Sequence, residues 1–157
     1  MTSYLIAGPG EEPVSLAETK LFCRIDGADE DALVSALIAA ARLHVESLTG
    51  RALIAQTWRL VLDSSPLLVP LPVVPAIALV DAPDGAVLQG DSVLLAEQVD
   101  QLTLDYTAGY GGAEDVPQDL KQAVLTLVAY WYEHRDSVTE APLGFERLVS
   151  SYRRVRL

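Results

Sequence analysis

The clearest periodicity in the chain lies between Asp31 and Gly50. Leu33, Leu37, Ala40 and His44 make one helical stripe and Val34, Ile38, Ala41, Val45 and Leu48 its neighbour, leaving Asp31, Ser35, Arg42 and Glu46 on a narrow polar face. An apolar arc that wide predicts a helix buried on more than one side. Asp29 is positioned as its N-cap, Glu30 and Asp31 complement the positive end of its dipole, and Gly50 stops it where a left-handed residue is needed. A shorter helix precedes it. In Ser15-Leu16-Ala17-Glu18 the serine oxygen and the glutamate side chain can satisfy each other's exposed backbone donors, which is a capping box. The helix predicted from there runs to about Ile25 and buries Ala17, Leu21, Phe22 and Ile25. Met1 to Glu12 carries Gly8, Pro9 and Gly10 and shows no periodicity, so it reads as an arm or loop.

From Ala55 to Thr107 the period becomes that of strands. Gln56 to Leu62 alternates around Trp58, Leu60 and Leu62; Ile77 to Val80 precedes a Pro83-Asp84-Gly85 turn; Leu102 to Tyr106 alternates again. A small antiparallel sheet or a pair of hairpins is expected, its proline-lined edges protected from stray pairing. Pro117 suits the first turn of a third helix running to about His134, with Leu120, Val124, Leu127, Val128 and Trp131 inward and Trp131 as the core anchor. Asp136 to Leu143 is a polar connector containing Pro142, after which Phe145, Leu148 and Val149 predict one short helical stretch. The expected fold class is α+β and mainly helical: a helical body, a small antiparallel β element and a C-terminal docking tail. As a single domain over 1–157 it comprises an arm (1–12), helices one and two (13–50), the β element (55–107), helix three (117–135) and the tail (143–157).

At 157 residues one core is the default. Half of the residues are hydrophobic and the mean hydropathy is +0.26, more apolar than a small domain needs to keep its whole surface in water, so part of that surface is expected to meet partners. The single cysteine, Cys23, cannot close an intramolecular disulfide, and the N-terminus lacks the basic-then-apolar layout of a secretory signal, which points to an intracellular product. The longest uncharged run, Ser64 to Val80, is interrupted by Pro66, Pro70, Pro72 and Pro75 and reads as extended chain, not a membrane span. The net charge of -11 is unevenly distributed. Through Glu146 the chain has 7 basic and 22 acidic residues, a balance of -15, while Arg147, Arg153, Arg154 and Arg156 fall in the last eleven residues. So acidic a body repels phosphate, and only the tail is a candidate contact for nucleic acid.

Chemistry is weakly represented. A nucleophilic Cys23 would need His44 or His134 as its base, but the spacing supports neither pairing, and a small buried side chain explains Cys23 among Phe22 and Ile25. Neither histidine has a metal-ligand companion three or four residues on. The acids Asp26, Asp29, Glu30 and Asp31 lack the twelve-residue ligand pattern of a calcium loop and fit a helix start. Gly109-Tyr110-Gly111-Gly112 enters a helix as phosphate-binding loops do, yet no Lys followed by Ser or Thr comes next, and Glu114 and Asp115 would oppose an anion. A plain strand-to-helix turn is expected there. No catalytic residue, metal or cofactor is expected. The tail arginines, interleaved with Tyr152, Val155 and Leu157, have the composition of a docking peptide.

Taken together, several segments resemble the head-to-tail connector (adaptor) family of tailed phages and phage-derived gene transfer particles. They are Ser15-Leu16-Ala17-Glu18 with Lys20, Asp29 to Ala41, Thr49-Gly50-Arg51-Ala52-Leu53 and Gln56-Thr57-Trp58. The resemblance resumes at Tyr106-Thr107-Ala108-Gly109-Tyr110-Gly111, continues through Val116-Pro117, Leu120, Ala123, Trp131-Tyr132-Glu133 and Arg135, and closes on Tyr152-Arg153-Arg154-Val155-Arg156. The stretch between Asp63 and Gln101 carries none of these matches.

The resemblance implies a non-enzymatic virion protein, made in the host cytoplasm, that forms a homo-oligomeric ring of about twelve copies beneath the portal protein. It would extend the DNA channel toward a downstream tail or stopper protein, with DNA passing without specific binding and no membrane involved. On that reading the portal-docking residues are Phe145, Arg147, Leu148, Tyr152, Arg153, Arg154 and Arg156. The rival is a small nucleic-acid-binding regulator using the basic tail, which the charge balance disfavours.

Overall fold

Alternation around Leu60 produces the longest strand pairing of the protein. In the computed structural model, which describes residues 1–135 and 140–154, the chain divides into two units: Met1–Gly10 with Gly50–Gly112, and Glu11–Thr49 with Ala113–Leu157. The strands of the first unit are β1 (Thr2–Ala7), β2 (Gln56–Ser64), β3 (Leu68–Pro70), β4 (Ala76–Asp81), β5 (Val87–Gln89), β6 (Ser92–Leu94) and β7 (Asp100–Ala108). They form a four-stranded sheet in the order β1-β2-β7-β4 and a three-stranded sheet in the order β3-β6-β5, with every pairing antiparallel. In the β2–β7 register Leu60 faces Leu104 and Leu62 faces Leu102. Leu60, Leu102, Leu104 and Tyr106 are buried with Val69, Leu71, Val93 and Leu95 of the smaller sheet and its flanks. The buried Tyr106 hydroxyl accepts a hydrogen bond from the Val73 backbone N–H at 3.2 Å, so its polar tip is satisfied inside the core.

The second unit contains α1 (Leu16–Cys23), α2 (Asp31–Thr49), α3 (Gln118–Glu133) and α4 (Phe145–Val149). The capping box at Ser15 and Glu18 forms as the spacing predicts, and α1 ends at Arg24 in a left-handed conformation. Val34, Ile38, Ala41 and Val45 of α2 are buried, as are Leu120, Val124, Leu127, Val128 and Trp131 of α3 and Phe145 and Val149 of α4. Gly50 follows α2 with φ +67°, the left-handed stop expected there.

Five expectations need correction, and the first is that α2 is buried on more than one side: Leu33 and Ala40 of its first stripe are exposed. The protein is not mainly helical: 36% of the described residues are helix and 27% strand, in two antiparallel sheets. The shortfall arises because β3, β5 and β6 have three residues each, too few to show an alternating pattern. The N-terminal arm contains β1, a six-residue strand formed by pairing with β2 through Ser3↔Leu60 and Leu5↔Trp58, a partner more than fifty residues away that local periodicity does not reveal. In α1 only Thr19 is buried, whereas Leu21 is 83% and Phe22 43% exposed, so the helix turns the opposite side to the core from the one its leucine and phenylalanine indicate. Arg42 is 7% exposed, not solvated on a polar face.

Candidate docking site

The candidate docking segment begins at α4, where Gly144, at φ +91°, turns the chain in. Phe145 is fully buried and lies beside the His44 ring, with centroids 6.0 Å apart; His44 in turn meets Trp131 edge-on at 5.7 Å. Phe145 thus fastens α4 to α2 and α3 and presents no surface to a partner. Arg147 and Arg153 are exposed, while Leu148, Tyr152 and Arg154 are half-buried. Arg153 pairs with Glu146, Nη2 to Oε2 at 2.7 Å, which folds the turn after α4 back on the helix. Arg156 lies outside the described residues. Six of the seven candidates thus lie on one short described segment, Phe145 buried and the other five exposed or half-buried.

The residues weighed for catalysis are not brought together. No hydrogen bond links Cys23 to either histidine among the described residues, and burial, with Glu133 nearby, raises the Cys23 thiol pKa, which keeps it protonated. His134 caps α3, with Nδ1 2.9 Å from the Tyr130 carbonyl and its ring stacked on Tyr130. Two of the four acids at the start of α2, Glu30 and Asp31, are held by cations and a phenol. Asp31 pairs with Lys20, and Glu30 accepts from Tyr132 and from Arg135 Nη2 at 2.6 Å. Those two donors, Tyr132 first, hold the Glu30 carboxyl below its ordinary range, and its hydrogen bond to Glu30 raises the Tyr132 pKa. Among the described residues no group of three His, Cys, Asp or Glu side chains is placed to hold a metal.

The glycine loop after β7 is a backbone junction. Gly109 N–H donates to the Pro75 carbonyl at 2.8 Å, Tyr110 N–H to Leu53 at 3.2 Å, and the Gly111 carbonyl accepts from Ala55 at 2.9 Å. A Cβ on Gly109, at φ +136°, would stand 2.5 Å from the Ile54 carbonyl oxygen. The glycine is there for close backbone approach, and no phosphate need be invoked.

Two ion-pair networks escape sequence reading. Arg59 and Asp105 face each other across β2 and β7 in a bidentate pair, both contacts 2.6 Å; Arg59 lowers the Asp105 pKa, and Asp105 raises that of Arg59. Arg42 joins Glu12 and Glu46. Only the second of these, Arg42 with Glu46, has a local signature, the i,i+4 spacing.

The whole fold is shared with chains of gene transfer agent particles. A chain of "Virion of native gene transfer agent (GTA) particle" superposes with a TM-score of 0.85 at 25% identity, covering 100% of this chain and 97% of that one. Chains of "Neck of empty GTA particle computed with C6 symmetry" and "Neck of native GTA particle computed with C12 symmetry" give TM-scores of 0.82 and 0.73 at 24% and 25% identity, again covering 100% and 97%. Comparison with curated protein sequences returns no match. The shared fold defines a structural subunit of a virion's head-to-tail junction. Residues 13–153 match the model of the Phage gp6-like head-tail connector protein family, and the chain belongs to that family.

Proposed function

We propose that about twelve copies of this chain form a ring in the neck, seated on the portal protein through the segment from Phe145 to Leu157 and followed by a downstream tail or stopper protein. The observation that carries this reading is the match along the whole chain to chains of a particle and of particle necks, one neck computed with C12 symmetry. The role is mechanical and non-enzymatic. Its net charge of -11 favours passage of DNA through the ring over binding, since carboxylates repel the phosphate backbone.

Docking divides along the segment. Buried Phe145 and Val149 hold α4 in place, and Arg147, Leu148, Tyr152, Arg153 and Arg154 offer cations and apolar surface to the portal. Replacing Arg147, Arg153 and Arg154 together by Glu leaves the buried anchors intact and should abolish binding to the portal in a pull-down or by negative-stain imaging. Portal binding at wild-type affinity would sink the docking assignment. Salt-sensitive DNA binding by the free protein would favour the regulator instead.

A further inference from the structure

By length and composition α2 is apolar enough to cross a membrane, with a mean hydropathy of 1.3, yet only a third of that stretch is buried. The unburied part is unusual for so acidic a protein. Ala32, Leu33, Ala36, Ala40, Leu43 and Ser47 are all exposed, Leu43 at 58%, and the one charged side chain of the helix with comparable exposure, Asp31 at 37%, sits at its N-terminal end paired with Lys20. At 3.6 residues per turn these six fall on one side, along a helix about 28 Å long. Glu46, the other acid of the helix, is drawn to Arg42 at 3.0 Å and keeps only 12% of its side chain exposed.

Resting on the ring reading above, we propose that this uncharged face of α2 is the contact between neighbouring copies. Two copies that each carry a charge of -11 repel, so their contact is strongest where neither acids nor acid-lined rims must be desolvated. The α2 face meets that condition over its full length. Its alanines let a neighbouring backbone or side chain approach closely, while Leu33 and Leu43 supply apolar area near its two ends. In a cyclic ring the contact is head-to-tail, so α2 meets a different patch of the next copy and not a second α2.

The test uses the full-length chain in assembled necks. Ala40→Glu places an acid at the centre of the face without touching the core, and Ala40→Ser is the matched control. Ala40→Glu should keep the wild-type thermal melt and reduce ring occupancy, counted by negative-stain imaging and native mass, about tenfold or more, whereas Ala40→Ser should form rings normally. Wild-type ring occupancy in Ala40→Glu overturns α2 as the contact while leaving the ring reading standing. Absence of rings from wild-type necks overturns the ring reading, and this inference with it. Vesicle binding by the wild type that Ala40→Glu abolishes, with rings unchanged, would assign the face to lipid.

Discussion

Arg42, in the middle of α2, reaches thirty residues back along the chain to hold Glu12, with Nε donating to Oε2 at 2.7 Å and Nη2 to Oε1 at 3.4 Å. Burial opposes the Arg42 charge, but Glu12 and Glu46 more than offset it, and the Arg42 pKa is raised. The guanidinium ties the entry to α1 onto the long helix and clears an acid from the outward face of α2. Arg42→Met would leave Glu46 largely enclosed without its cation, and a loss of about 3 kcal/mol is expected, as when a buried pair loses one partner. Urea unfolding should show a lower midpoint with an unchanged slope. Glu12→Gln, at a position 32% exposed, should cost less.

Trp131 is 4% exposed, and its indole N–H donates to the Glu140 carbonyl at 2.8 Å. Trp131→Ala removes both the apolar volume between His44 and the α3 core and the donor to that carbonyl. Thermal or chemical unfolding should show a loss of about 3–5 kcal/mol. Trp131→Phe retains much of the volume and should lose substantially less.

In β2 the opposite situation holds: buried Trp58 Nε1 finds no hydrogen-bond partner among the described residues. Trp58→Phe deletes an unsatisfied donor together with some packing, so the two effects offset each other and the net change should stay within about 1 kcal/mol. A loss comparable to that of Trp131→Ala would show that the indole nitrogen is satisfied in solution.

Gly109→Ala should be far more damaging than the addition of one methyl group suggests, because Gly109 is buried. The left-handed backbone alone costs about 1–3 kcal/mol for a residue with a side chain. The new Cβ also meets the Ile54 carbonyl, which belongs to the backbone junction and cannot swing away. Reduced soluble yield and a lowered melting temperature are the expected readouts.

Acid should weaken the protein through Glu30 and Asp105, whose ordinary pKa values of 4.5 and 3.8 are both lowered in the folded chain. A lowered folded-state pKa means that the unfolded chain takes up the proton more readily. The stabilisation is therefore complete above the ordinary values and is lost as pH falls through the folded ones. Melting temperature should decline below about pH 4.5, and Glu30→Gln with Asp105→Asn should make that decline shallower. Added salt should reduce the difference between the two proteins, because Glu30 and both arginines are substantially exposed.

The elements that local spacing determines were legible in the sequence: the capping box at Ser15, the α2 stripe of Val34, Ile38, Ala41 and Val45, the left-handed stop at Gly50, and the buried side of α3 ending at Trp131. The connector resemblance, carried by the same segments, is confirmed by the family match over residues 13–153. Tertiary structure alone decided what depends on distant partners. Thr2–Ala7 is a strand because β2 lies beside it, α1 leaves Leu21 exposed because Thr19 faces the core, and Arg42 is buried because Glu12 arrives from outside the helix. Helical periodicity reports which residues share a side; it does not report which side finds a neighbour. A charged position can be buried when its counter-charge comes from elsewhere in the chain, and an apolar one can remain exposed.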